Sequence, residues 1–216
     1  MGREQHAQWI ERTGLIAIVR LDSSAELVQA AKAIAAGGVS VIEFTLTTPG
    51  ALRTIEAAVK ELGSEVLIGA GTVLDAETAR AAILAGAEFV VAPTLNMDVI
   101  EMCHRYDKVV IPGAYTPTEI LSAWEHGADF VKLFPAEVGG PAYLKAVRAP
   151  LPQVKLIPVG GVTLETAGPF IRAGAAALGV GSNLVDKKAV AEGRFTQLTT
   201  VAQALSKAVL EARRRD

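Results

Sequence analysis

Short apolar runs alternate with longer amphipathic ones along this chain. The short runs are LIAIVR (15–20), SVIEFTL (40–46), EVLIGAGTV (65–73), FVVAPT (89–94), VVIPGA (109–114), FVKLFPA (130–136), KLIPVGGV (155–162) and ALGVGSNL (177–184). Val, Ile and Phe dominate several of them. They are too continuous for strands with one face in water, and parallel strands buried on both faces have this pattern.

The longer stretches carry helix signals. SSAELVQAAKAIAAGG opens with a Ser cap and ends in glycine. DAETARAAILAGA repeats the pattern with Asp75 and Gly86. TPTEILSAWEHGA has Thr116 as cap, Pro117 in the first turn, Glu119 three residues after the cap and Gly127 at its end. TLETAGPFIRAGA closes at Gly174, although Pro169 inside it predicts a kink or a late start.

A weak repeat runs through the chain. Helix, glycine, small residue and apolar strand recur as AGGVSVIEF, AGAEFVVAP, HGADFVKLF and AGAAALGVG. Each unit takes roughly 25 residues, and eight strand–helix units in one domain spanning 1–216 predict a compact (β/α)8 barrel, below the about 250 residues typical of that fold. An open doubly wound sheet would carry a glycine-rich loop after an early strand. LIAIVRLDSSAE has none. The leading segment GREQHAQWIERTG predicts an extra N-terminal helix that covers the barrel floor.

Composition adds exclusions. The net charge is −2, so bulk electrostatics draw the protein to neither nucleic acid nor an anionic membrane. Arg213, Arg214 and Arg215 read as a solvated helix end that complements the dipole. The opening is polar and amphipathic, unlike a signal peptide, and no apolar segment approaches the ~20 residues of a membrane span. Cys103 is the only cysteine, which rules out an intramolecular disulfide and suits a reducing compartment. The cytoplasm is the expected location. Cys103 itself reads as an inert core thiol, since only His104 is adjacent and neighbours in sequence do not face each other on a helix.

In a (β/α)8 barrel, active sites form where strands end and βα loops begin. The polar residues near those ends are Arg20, Glu43, Thr45, Thr47, Thr72, Thr94, Lys132, Glu137 and Ser182. Gly69, Gly71, Gly113, Gly160, Gly161, Gly179 and Gly181 cluster there too.

Lys132 stands out. Lys108 and Lys155 occupy strand beginnings near solvent, whereas Lys132 has two apolar residues on each side. Alternation puts Phe130, Lys132 and Phe134 on one face, and Val131 and Leu133 on the other. Burying a charged amine is costly unless it is paired or neutralised. A neutral amine attacks carbonyls and forms Schiff bases. The alternative is a structural lysine in a salt bridge. Glu43, in VIEFTL, is either the acid/base partner of such a lysine or half of a buried ion pair.

PVGGV (158–162) and GVGSN (179–183) end the last two strands. Glycines let backbone N–H groups approach an anion, and a phosphate site at this place is frequent in the fold. Tight turns are the other reading. His6, His104 and His126 are far apart, with no HxH, HExxH or CxxC spacing, so a metal-free chemistry built on an amine is expected.

Together IEFTLTTP, GAGTV, PGAYTPTE, VKLFPAE, GGP, GGV and GVGS, in this order and spacing, carry a resemblance. From Leu15 to the C-terminal helix the chain resembles the 2-keto-3-deoxy-6-phosphogluconate (KDPG)/4-hydroxy-2-oxoglutarate aldolase family. That resemblance implies a class I lyase on a (β/α)8 barrel, homotrimeric and without a cofactor. It implies that Lys132 is the Schiff-base lysine and that Glu43 shuttles protons. Arg20 and Thr72 would hold the pyruvyl end, with Pro93 lining the pocket. Gly160, Gly161, Gly181 and Ser182 would receive the phosphate.

The expected reaction is cleavage of a 2-keto-3-deoxy sugar acid phosphate to pyruvate and glyceraldehyde 3-phosphate. Two positions depart from the family pattern. Thr47 stands where some members carry arginine, which shifts carboxylate anchoring to Arg20 and Thr72. Val159 replaces the threonine of a TGG motif, and VGG also occurs in 2-dehydro-3-deoxy-6-phosphogalactonate aldolases. The substrate is therefore open between these epimers, with unphosphorylated 4-hydroxy-2-oxoglutarate as a further alternative. Outside the lyases stand a phosphosugar isomerase with Glu43 as base and a non-catalytic assembly protein on the same barrel.

Overall fold

The structure, a computed structural model, describes residues 1–21 and 26–214. After α1 (Arg3–Thr13), strands and helices alternate: β1 (Leu15–Val19), α2 (Leu27–Ala36), β2 (Val41–Thr45), α3 (Ala51–Leu62), β3 (Leu67–Gly71), α4 (Ala76–Leu84), β4 (Phe89–Val91) and α5 (Met97–Arg105). Next come β5 (Val109–Ile111), β6 (Gly113–Ala114), α6 (Pro117–Glu125), β7 (Val131–Leu133), α7 (Gly140–Arg148), β8 (Leu156–Pro158), α8 (Leu164–Arg172) and β9 (Leu178–Val180). The chain ends in α9 (Lys187–Ala191) and α10 (Phe195–Arg213).

All the strand pairings are parallel. One sheet has the order β5-β4-β3-β2-β1-β9, and a second has β6-β7-β8. Two links join them into a closed barrel. β5 and β6 are one run interrupted at Pro112, and a parallel bridge between Val159 and Gly179 joins β8 to β9. Pro112 has no N–H to give a ladder, yet its carbonyl accepts from Lys132 N at 2.8 Å and keeps β7 attached. Counting β5 and β6 as one, eight strands close the (β/α)8 barrel expected from the repeat.

Alternation sorts side chains into two cores. Outward residues such as Val131, Leu133, Ala17 and Phe44 pack against the helices. Inward residues, including Ile16, Ile18, Leu67, Phe89, Phe130 and Ile157, fill the barrel. Ile10 of α1 belongs to the inner cluster, so α1 covers the floor as expected. The strands are shorter than the apolar runs, because each run continues into the loop that follows its strand.

The caps follow the sequence. Asp75 accepts from Thr78 N at 2.6 Å, and Thr116 with Glu119 forms a reciprocal capping box on α6. The expected Ser cap of α2 lies outside the described residues. Pro169 does not delay α8, which starts at a Thr163 cap and runs through to Arg172. A proline there forfeits one helical hydrogen bond, while Phe170 and Ile171 on the same helix are buried. Arg213 is more than a solvated helix end. Its guanidinium donates to the carbonyls of Glu11 (2.6 Å), Arg12 (2.9 Å) and Ala176 (3.2 Å), tying α10 to the floor helix.

Candidate active site

The lysines separate as their surroundings dictate. Lys108 pairs with Glu88 and Lys155 with Glu11, both at 2.5 Å, near the strand beginnings. Lys132, the middle residue of β7, is 6% exposed. Its ammonium lies 4.8 Å from the centroid of the Phe134 ring. Glu43, the middle residue of β2, is 2% exposed. β2 and β7 stand four strands apart in the eight-stranded barrel, so these inward groups face each other across its axis. Among the described residues no ion pair or hydrogen bond joins the two.

That separation removes the simplest structural account of the pair, in which they neutralise each other by contact. Burial holds the Lys132 amine below its ordinary range; the Glu43 charge opposes this and the Arg20 charge adds to it. Burial likewise pushes the Glu43 carboxyl up, against the charges of Lys132 and Arg20. Both shifts favour proton transfer: a lowered amine loses its proton more readily and so becomes a nucleophile, and a raised carboxyl is, once ionised, a stronger proton acceptor.

Both groups open into a cavity of about 690 Å³ at the C-terminal end of the barrel. The structure gathers all nine residues expected there. Arg20, Glu43, Thr72, Pro93 and Lys132 line one part, and Gly160, Gly161, Gly181 and Ser182 line the glycine-rich part. Thr72 has φ 61°, the left-handed region that a β-branched residue rarely adopts. Such a conformation costs on the order of 1–3 kcal/mol. It is fixed on both sides, because Gly71 O accepts from Leu46 N at 2.8 Å and Val73 N donates to Val91 O at 3.2 Å.

The glycine-rich part is formed by loops after β8 and β9. Gly160 and Gly161 have φ 95° and 69°. A Cβ on Gly161 would meet Glu137 Cβ at 2.4 Å, so a larger residue there meets both backbone strain and collision. Among the described residues, the N–H groups of Gly161, Val162 and Ser182 find no hydrogen-bond acceptor within the chain. Free N–H groups and a hydroxyl at a cavity wall are donors available to an anion.

Other polar strand-end residues fall elsewhere. Thr45 is buried and accepts from the Thr47 hydroxyl at 3.2 Å. Thr47 lines a separate groove with Pro49 and Arg53, and Thr94 O accepts from Gly113 N at 3.3 Å. The cavity also contains Phe134, Val159 and Asn183. Phe134 was legible as sharing a strand face with Lys132, and Asn183 directly follows Ser182. Asp186 and Lys187 line it as well, and no motif marked them. Cys103 is buried away from this site, its thiol pushed up to about 12 by burial and the nearby Asp129 charge.

Comparisons with known proteins converge on one family. A family model for KDPG and KHG aldolase matches residues 7–201. A 2-dehydro-3-deoxy-phosphogluconate aldolase of Treponema pallidum (strain Nichols) is 37% identical over 195 residues, covering 90% of this chain and 92% of the relative. The 2-dehydro-3-deoxy-6-phosphogalactonate aldolase of Escherichia coli (strain K12) is 36% identical over 203 residues, covering 94% and 99%. KDPG aldolase from Legionella pneumophila, solved with pyruvate captured as a covalent carbinolamine intermediate, superposes with a TM-score of 0.86 at 27% identity, covering 92% of this chain and 97% of that one. With a buried amine facing a buried carboxyl at the mouth of its barrel, the chain belongs to the KDPG and KHG aldolase family and is a carbon–carbon lyase.

Proposed function

We propose that the chain is a class I aldolase that reversibly cleaves 2-keto-3-deoxy-6-phosphogluconate to pyruvate and glyceraldehyde 3-phosphate. The observation that carries this reading is the buried Lys132 amine, which shares the cavity with Glu43 and makes no ion pair or hydrogen bond with it.

In this mechanism neutral Lys132 attacks the C2 carbonyl carbon and gives a carbinolamine. Loss of water leaves an iminium, whose positive nitrogen draws electrons from C3. Glu43 takes the C4 hydroxyl proton, directly or through a water. The C3–C4 bond breaks, its electron pair forms the enamine, and the aldehyde leaves. Protonation of C3 and hydrolysis of the iminium then release pyruvate and free the amine. Arg20, Thr72 and Pro93 orient the pyruvyl end, which spares the reaction the entropy of aligning the carbonyl. Gly160, Gly161, Gly181 and Ser182 receive the phosphate.

The test is mass spectrometry after incubation with pyruvate and borohydride. The expected label is the reduced imine on the peptide that contains Lys132. Label on Lys108 or Lys155, or none at all, would sink the assignment. It also separates this reading from an isomerase, which forms no imine.

A second reading has an observation in its favour. Val159 lines the cavity beside the glycine pair and offers no hydroxyl. The galactonate epimer is then the competing substrate, in keeping with the name of the E. coli relative. Comparing kcat/KM for the two epimers decides between them. 4-Hydroxy-2-oxoglutarate is the further alternative, and its unphosphorylated chain leaves the glycine cradle without a role.

The family resemblance supports a homotrimer, for which light scattering should give about three times the chain mass. A clean monomer at micromolar concentration would refute that part. Among the described residues no helix is long and apolar enough to cross a membrane. The cytoplasm is the proposed site of action.

A further inference from the structure

We propose that Asn183 is a positioning residue, whose bond from Nδ2 to the Val162 carbonyl locks the loops after β8 and β9 into one phosphate cradle. The proposal rests on the reading that the substrate carries a terminal phosphate.

The geometry behind it is a weakness in the barrel wall. Where β8 meets β9 the ladder is reduced to the single bridge between Val159 and Gly179. Beyond it lie Gly160 and Gly161 on one side, and Gly181 on the other. Glycine loses more backbone freedom on ordering than any other residue. A cradle of this kind has to be held in shape, or anion binding bears the whole ordering cost.

Two side chains supply the restraint. Thr166 Oγ1 lies 3.4 Å from both Gly161 O and Thr163 O and can donate its one proton to either, and Asn183 Nδ2 donates to Val162 O at 2.9 Å. A trans peptide places C=O and N–H on opposite sides. When Thr166 holds the Gly161 carbonyl, the Val162 N–H therefore points the other way. Asn183 fixes the next peptide. Thr166 belongs to α8, so it restrains only the loop that leads into its own helix. Asn183 belongs to the β9 loop, so its bond ties one loop to the other. It adjoins Ser182, so the same bond also sets where the Ser182 hydroxyl and N–H stand relative to Gly161.

Asn183 also lines the cavity, yet its amide is engaged with the protein. It acts through the backbone it holds and not on the reacting carbons, which lie toward Lys132 and Glu43. The expected signature is confined to the phosphate end.

The experiment compares the unaltered enzyme with Asn183→Ala and Asn183→Gln. Each is assayed with the phosphorylated substrate and with 4-hydroxy-2-oxoglutarate, and each is trapped with pyruvate and borohydride. Asn183→Ala should raise KM for the phosphorylated substrate about 3- to 10-fold, the scale of one hydrogen bond. Its kcat, its trapping rate and its action on 4-hydroxy-2-oxoglutarate should stay within twofold of the unaltered enzyme. Asn183→Gln keeps an amide donor and should recover part of the loss. Equal losses on both substrates would make Asn183 a support of the barrel and overturn the proposal. Unchanged KM in Asn183→Ala overturns it too. An unaltered enzyme that shows no preference for the phosphorylated substrate removes the underlying reading and this one together, whereas a preference kept by Asn183→Ala removes only the role of Asn183.

Discussion

Gly71 makes the space that the Glu43 carboxyl group occupies. The two lie on paired strands, where Thr45 is opposite Gly71 and Glu43 opposite Gly69. A Cβ added at Gly71 would overlap Glu43 Oε1 and crowd its Cδ. Gly69 serves a different neighbour, since a Cβ there would strike the Phe89 ring at 2.5 Å. One glycine thus admits a core aromatic and the next admits the buried acid, which explains how a single strand serves both packing and chemistry.

Gly71→Ala should therefore displace Glu43 without removing it. We expect kcat to fall by on the order of 10²–10⁴, the range associated with general acid–base help. In a Glu43→Gln background the same substitution should cost little more, because the displaced group is already inactive. A double-mutant cycle measures this coupling. Additive losses would show that Gly71 acts on something other than Glu43.

Glu43→Gln retains the shape of the side chain and removes the base. Turnover is expected to drop by on the order of 10²–10⁴. Pyruvate should still be trapped on Lys132 under long incubation, since imine formation does not depend wholly on this group. Near-normal turnover would return Glu43 to a purely electrostatic role.

Lys132 carries a stability cost that its chemistry explains. Burial lowers its proton affinity in the folded chain. Below that lowered value both folded and unfolded chains hold the proton, and the penalty is complete. Between it and the unfolded value of about 10.4 the unfolded chain holds more protons, so stability rises with pH across that window. Lys132→Met in the Glu43→Gln background removes the buried amine without leaving an unpaired carboxylate. The variant should melt higher than its Glu43→Gln parent, by about 2–4 °C for each kcal/mol relieved in a chain of this size. Thermal melts should show the gain largest near neutral pH and shrinking toward pH 10. No gain at any pH would mean that the amine is not held against its charge.

Much of this was legible in the sequence because the barrel couples periodicity to function. Alternation put Lys132 on one face with Phe130 and Phe134, which the structure turns inward, and the Asp75 and Thr116 cap motifs formed as written. The late start expected from Pro169 does not occur, because propensity is local while α8 is held by the buried Phe170 and Ile171. Arg213 misled because a carbonyl partner 202 residues away leaves no trace in a local window. The clearance of Gly71 for Glu43 and the Asn183 bond were hidden for the same reason. They are relations between neighbouring strands, fixed by register, and one sequence does not print its register. The roles of the cavity residues came from the resemblance and the chemistry, while the structure supplied their convergence.

The Cys103 thiol offers a test of the core apart from catalysis. With its thiol pushed up to about 12, it has almost no thiolate at neutral pH. Iodoacetamide at pH 7.5 should leave it unmodified in the native protein and label it after unfolding. Rapid native labelling would place it in a region that opens readily.

Ser182→Ala separates phosphate binding from the rest of the site. Ser182 lines the cavity at the end of β9, and its hydroxyl is the side-chain donor beside the free N–H groups of Gly161 and Val162. Neither glycine motif contains a lysine or arginine. A lost hydrogen bond to a charged group costs roughly 1.5–3 kcal/mol, so kcat/KM for the phosphorylated substrate should fall by about 10- to 150-fold. Cleavage of 4-hydroxy-2-oxoglutarate should barely change, because that substrate has no phosphate and its second carboxylate, bonded directly to C4, is held closer to the reacting carbons. On the proposed reading this loss should exceed that of Asn183→Ala, since Ser182 would touch the phosphate and Asn183 would only hold the loops. Steady-state kinetics on both substrates with both variants orders the two effects. If Ser182→Ala lowers both activities equally, the hydroxyl supports the barrel end, and the glycine loops lose their case as a phosphate site.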